Sequence, residues 1–130
     1  MRLDFDPARP IYLQIVDEIR RAVARGELAP GDRIPSLREL AQHAGVNPNT
    51  VQRAFQEMER MRLTETLRGQ GTFICGDPDL VARLRAEMAR DALGAFLREM
   101  FSLGYTADDI RRLLDAALNE QTKRGDAGAE

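Results

Sequence analysis

Between Ser36 and Arg60 the chain carries two short helical signals separated only by the glycine-bearing connection Ala44-Gly45-Val46. No other feature restricts the fold as tightly. Ser36-Leu-Arg-Glu39 fits a capping box, in which a hydroxyl and a carboxylate satisfy each other's exposed backbone donors. The helix it opens is expected over Leu37–His43, with Leu37, Leu40 and Ala41 turned inward. Asn47 is a good N-cap, and Pro48 suits the first helical position, where its missing N–H costs nothing. Two short helices joined by a glycine turn form a helix-turn-helix. On a helical wheel Val51, Ala54, Phe55 and Met58 share one apolar face of the second helix, and Asn49, Gln52, Arg53, Gln56 and Arg60 share the opposite one.

The flanking segments extend this pattern. Tyr12, Ile15, Ile19 and Val23 recur at helical spacing between Pro10 and Arg25, and Gly26 ends that helix. Glu27 to Pro35, with Pro30-Gly31-Asp32 at its centre, reads as a compact turn. Leu63–Leu67 and Thr72–Cys75 are strand-like and flank Arg68-Gly-Gln-Gly71, a loop of hairpin length, so a wing follows the helix-turn-helix. Asp77-Pro78 opens a long helix to Leu103, stopped by Gly104. One of its stripes comprises Val81, Met88, Ala92, Phe96 and Leu103, and the other Leu93, Leu97, Met100 and Phe101. Thr106-Ala-Asp-Asp109 caps a last helix whose Ile110, Leu113, Leu114, Ala117 and Leu118 are expected to cover one face, leaving the other for a second copy of the chain. The dimer interface is therefore expected at Val81, Met88, Ala92, Phe96, Met100 and Leu103.

The expected fold is mainly α with a small β-hairpin: a winged helix-turn-helix domain over residues 1–76, a two-helix C-terminal dimerisation or effector region over 77–122, and a frayed tail over 123–130.

Composition narrows the function classes. At 130 residues, 43% hydrophobic and 31% charged, the chain suits one small globular domain with an appendage. No apolar run approaches the roughly 18 residues needed to span a bilayer, so no membrane association is expected. The charged N-terminus lacks an apolar leader, which points to the cytoplasm. A single cysteine, Cys75, excludes an internal disulfide, and the single histidine, His43, lies too far away in sequence to suggest zinc. No cofactor and no catalysis is expected, since no paired base and nucleophile stands out and the 55 residues after Cys75 are too few for an appended catalytic domain. Gly69-Gln-Gly71 lacks the third glycine, lysine and following helix of a nucleotide loop.

The net charge of −2 argues against a nucleic-acid partner, yet the charge is unevenly spread. Residues 1–75 hold eleven arginines against ten carboxylates, whereas 76–130 hold eight basic and eleven acidic residues. Within 33–56, Arg33, Arg38 and Arg53 face only Glu39, and locality matters because salt screens charges beyond about 8 to 10 Å.

The polar stripe is the informative feature. Asn and Gln amides pair bidentately with adenine and Arg with guanine, in a major groove about 12 Å wide that admits one helix. On an isolated helix such a stripe would more simply be a solvated face. Here it follows a tight glycine turn, precedes a glycine-tipped loop bearing Arg68, and carries no acid among Asn49, Gln52, Arg53 and Gln56. Arg38, near a helix start, suits a phosphate oxygen, with a salt bridge as its plainer alternative. Arg68, Gly69 and Gln70 suit a minor groove or the backbone, unless the tip merely turns.

Four segments then resemble a known family: Pro10-Ile-Tyr-Leu-Gln, Leu28-Ala-Pro-Gly-Asp-Arg-Ile-Pro-Ser-Leu-Arg-Glu-Leu-Ala41, Val46-Asn-Pro-Asn-Thr-Val51 and Arg68-Gly-Gln-Gly-Thr-Phe73. Together they resemble the GntR family of bacterial transcription regulators, specifically its YtrA-like subfamily, over about residues 7–75. The resemblance implies a winged helix-turn-helix, a homodimer through the C-terminal helices, and repression of nearby operons, often encoding ABC transporters. It also implies DNA contacts at Arg38, Asn47, Asn49, Thr50, Gln52, Arg68, Gly69 and Gln70, to which the polar stripe adds Arg53. The sequence departs from the family at Arg62, where glycine is usual, at Thr64, where isoleucine is common, and at Leu67, where a basic residue often precedes Arg-Gly.

The leading expectation is a homodimeric, sequence-specific repressor of an inverted-repeat operator in double-stranded DNA. The alternative is a winged-helix module that docks on a protein partner without specific DNA binding. A small-molecule effector, unidentified, would have a dimer crevice lined by Met88, Phe96, Met100 and Tyr105.

Overall fold

The described residues, 4–128 of a computed structural model, form α1 (Ile11–Ala24), α2 (Leu37–Ala44), α3 (Pro48–Arg60), β1 (Thr64–Leu67), β2 (Gly71–Ile74), α4 (Leu80–Ser102) and α5 (Ala107–Gly128). The chain divides into two compact units, Met1–Glu87 and Met88–Glu130.

The first unit closes around one apolar cluster. Ile15, Ile19 and Val23 stand four residues apart on α1 and so share one face; they meet Leu40 and Ala41 of α2 and Val51, Ala54, Phe55 and Met58 of α3. Leu63 and Ile74 add the root of the hairpin. β1 and β2 pair antiparallel with Thr64 opposite Ile74 and Leu67 opposite Gly71. The turn before α2 contributes more than a connection. Gly31 N–H donates to the Ile74 carbonyl at 2.8 Å, Ile74 N–H to Asp32 at 2.8 Å and Ile34 N–H to Thr72 at 2.9 Å, so residues 31–34 line the free edge of β2. Its proline flanks and brevity hide this strand-like stretch from periodicity.

Between α3 and the hairpin, Arg62 takes φ +59, a left-handed conformation that costs an L-residue about 1–2 kcal/mol. Leu63 N–H returns to the Met58 carbonyl at 2.9 Å, reversing the chain into β1. Thr64, the next departure from the family pattern, is 3% exposed, and its Oγ1 has no hydrogen-bond partner. A buried hydroxyl without a partner is costly, and valine keeps its shape and branching. Thr64→Val should therefore stabilise the protein by about 1 kcal/mol, read as a higher urea midpoint at unchanged slope.

The core extends further along the chain than the expected boundary at residue 76. Leu80 and Leu84, one turn apart on α4, are 0% and 1% exposed and belong to the first unit's cluster, with Val81 packed beside them. Arg20 on α1 reaches Asp17 and Glu87, both at 3.5 Å. Val81, expected in a dimer interface, is half-buried against this cluster, and the Arg20–Glu87 pair ties this end of α4 to α1.

In the second unit, Thr106 and Asp109 form the full capping box: Asp109 Oδ2 accepts from Thr106 N–H at 3.0 Å, and Thr106 Oγ1 from Asp109 N–H at 3.1 Å. The Thr106 backbone bond holds the Asp109 carboxyl below its usual range. Ile110 is buried, but Leu113, Leu114 and Leu118 are exposed, as are Leu93 and Phe101 on α4. The last helix thus does not bury the stripe expected to cover its neighbour; periodicity identifies a face that must be covered without saying by what. The helical backbone also continues through residues 123–128, where a frayed tail was expected, and Arg124 pairs with Glu120 at 3.6 Å one turn back.

Candidate nucleic-acid interface

The two helices of the turn are set by their caps. Ser36 Oγ accepts from Glu39 N–H at 3.1 Å and fixes the start of α2, which ends at Gly45 in the left-handed conformation. The reciprocal bond from Glu39 is absent among the described residues, so half of the capping box forms. Asn47 Oδ1 accepts from Asn49 N–H at 2.9 Å and caps α3, with Pro48 in its first turn. That bond commits the Asn47 carbonyl and leaves its amide hydrogens to solvent.

With Val51, Ala54, Phe55 and Met58 buried, α3 cannot rotate without emptying the core. Asn49, Gln52, Arg53 and Gln56 are consequently exposed and Thr50 half-buried. The two arginines of the stripe are engaged within the protein. The Arg53 guanidinium lies 4.0 Å over the Tyr12 ring, a cation–π brace between α3 and α1. Arg60 pairs with Glu57 through both carboxylate oxygens, and this bond lowers the Glu57 carboxyl and raises the Arg60 guanidinium from their ordinary values. What α3 offers outward is mainly the neutral amides of Asn49, Gln52 and Gln56.

Positive charge comes from neighbouring elements. Arg38 is exposed and shares a hollow with Gln42, Val46 and Pro48, beside the start of α3. Arg68, Gly69 and Gln70 are exposed at the hairpin tip, where Gly69 takes φ +79 and Gln70 N–H closes the turn onto Leu67 at 2.9 Å. Arg33, outside the expected contact residues, lines a cleft of about 290 Å³ with Ser36, Gln52, Gln56, Gly71 and Thr72. Its signal in the sequence was its place in the local positive patch. Among the described residues, Arg33, Arg38 and Arg68 have no carboxylate within ion-pair distance.

Of the remaining expected interface residues, Ala92, Phe96 and Leu103 are exposed and Met88 and Met100 half-buried. Burial pushes the Cys75 thiol up, away from the reactive thiolate, and His43 is exposed in the last turn of α2. The described residues hold no cluster of three or more metal-ligating side chains and no helix long and apolar enough to cross a membrane.

Residues 11–74 match the family described as "Bacterial regulatory proteins, gntR family". The chain is 46% identical over 106 residues to the HTH-type transcriptional regulator YhcF of Bacillus subtilis, covering 82% of this chain and 88% of YhcF. It is 45% identical over 74 residues to the HTH-type transcriptional repressor YtrA of the same organism, 57% of each chain. A GntR family transcriptional regulator from Listeria monocytogenes superposes with a TM-score of 0.79 at 35% identity, covering 86% of this chain and 98% of that one.

Proposed function

The chain belongs to the GntR family of bacterial regulatory proteins, a DNA-binding transcriptional regulator and not an enzyme, and from this we propose that it is a homodimeric repressor that reads an inverted-repeat operator. The observation that carries the reading is the outward amide stripe of α3, locked in place by four buried apolar residues on its other side. In this reading α3 enters the major groove, where Asn49 and Gln52 pair with base edges and Thr50 and the Asn47 amide hydrogens assist. Arg38 takes a phosphate beside the helix start, Arg68, Gly69 and Gln70 meet the adjacent minor groove or backbone, and Arg53 braces α3 from its seat on Tyr12. Repression follows from occupying promoter DNA, in the cytoplasm. The YtrA-like resemblance points to a transporter operon as the regulated target.

Dimerisation is supported by apolar surface left open on the second unit: Leu93, Phe101 and Leu118 are each more than half exposed. Such patches on adjacent helices mark a surface that another molecule covers. A two-fold pair would set its α3 helices about 34 Å apart, one turn of B-DNA. Selecting bound duplexes from a random pool, with sedimentation of the free protein, tests this. The expected outcome is a dimer in solution and an inverted repeat whose half-sites are centred about ten base pairs apart. A monomer on a single unrepeated site would overturn the dimeric reading, and no duplex binding even at low salt would favour the protein-docking alternative.

A further inference from the structure

We propose that Arg33 is a phosphate contact on the DNA strand running between the recognition helix and the wing, an inference that rests on the DNA-binding reading above. Its placement is tightly determined. Residues 31–34 line the edge of β2 through Gly31, Asp32 and Ile34, and Arg33 stands opposite Phe73. Ile34, the next residue, is 2% exposed, so alternation turns Arg33 outward, and Arg33 is exposed. Its guanidinium lies across Gly71: a Cβ at that position would come within 2.8 Å of Nε and 3.4 Å of Cζ. The arginine therefore occupies, at the root of the wing, space that a side chain at Gly71 would need.

The cleft it lines is bounded on one side by Gln52 and Gln56 of α3 and on the other by Gly71 and Thr72 of β2. In a duplex the sugar-phosphate strand is what separates the major groove from the adjacent minor groove. A helix in the first and a hairpin tip in the second must straddle that strand, and the cleft between them is where it passes. Glu59 also lines the cleft, but among the described residues it forms no ion pair with Arg33. A guanidinium left without a carboxylate in that position matches a phosphate oxygen in charge and in forked geometry.

A phosphate contact adds affinity without sequence information and releases counterions. The test is fluorescence anisotropy of the full chain and its Arg33→Gln and Arg33→Lys variants across a salt series. The probes are a duplex selected from a random pool and a random-sequence duplex of equal length. Arg33→Gln should bind about tenfold more weakly near 0.1 M salt, by the same factor on both duplexes. The slope of log affinity against log salt should flatten by about 0.9 per protomer. Arg33→Lys should keep the slope. An unchanged slope in Arg33→Gln, with or without a lower melting temperature, would assign Arg33 a structural role and overturn the proposal. So would a loss confined to the selected duplex, which would make it a base reader. Absence of salt-dependent duplex binding by the unaltered chain is a separate result, and it would defeat the DNA-binding reading itself.

Discussion

Alanine at Leu84 is expected to destabilise the first unit by about 3 kcal/mol. Leu84 is 1% exposed and belongs to the same cluster as Ile15, Ile19, Met58 and Ile74. Truncation removes the transfer free energy of the lost methyl groups and leaves a cavity that a core held by four helices and a hairpin root fills only in part. A loss of this size is a large share of the stability of a small domain. Urea unfolding should show a lower midpoint at unchanged slope, which separates a change in stability from a change in the unfolded state. Leu67, 41% exposed on the hairpin, is the control, and Leu67→Ala should stay within about 0.5 kcal/mol. If Leu84→Ala costs no more than that control, the start of α4 is not part of the core, and the domain ends near the Gly76 boundary suggested by the sequence.

Gln52→Glu should leave the fold intact and weaken binding to a selected operator duplex by about 100-fold. The substitution exchanges one terminal atom at an exposed position of α3, so unfolding should move by less than about 0.5 kcal/mol. The effect on binding has two parts. A carboxylate lacks the N–H that completes a bidentate pair with adenine, a loss of about 1–3 kcal/mol. It also brings negative charge into a groove walled by phosphates. Gln52→Ala suffers only the first part and should be the milder variant. Titrations at a single fixed salt concentration make the comparison, because affinity varies steeply with salt. Binding by Gln52→Glu as tight as by the unaltered chain would remove Gln52 from the base-reading residues.

Local chemistry was legible in the sequence wherever one residue decides one bond. Ser36, Asn47 and Thr106 each cap the helix they were expected to cap, and the apolar face of α3 is the one its spacing selects. The hairpin lies within a residue of its expected strands, because a glycine-tipped loop between β-branched segments leaves few alternatives. What escaped the sequence depends on partners far along the chain. Arg53 reads as one more member of the polar stripe until Tyr12, on another helix, takes its guanidinium. Leu80 and Leu84 satisfy helical periodicity as well as Val81 and Met88 do, and only the packed structure shows which of them the core takes. Arg33 is legible only as one charge of a local positive patch, because the prolines of its segment signal a turn, and its place beside the wing appears once the segment pairs with β2. For the candidate DNA contacts, the sequence supplied the side-chain chemistry, and the structure supplied which of those side chains are already engaged.

Because β2 has a neighbour along each edge, β1 on one side and residues 31–34 on the other, little of the hairpin beyond residues 68–70 is left to sway. Its reach is thereby separated from what it touches. Under the proposed reading, in which the tip meets DNA, point substitutions at residues 68–70 would change what the hairpin touches while the strands behind it keep their length and direction.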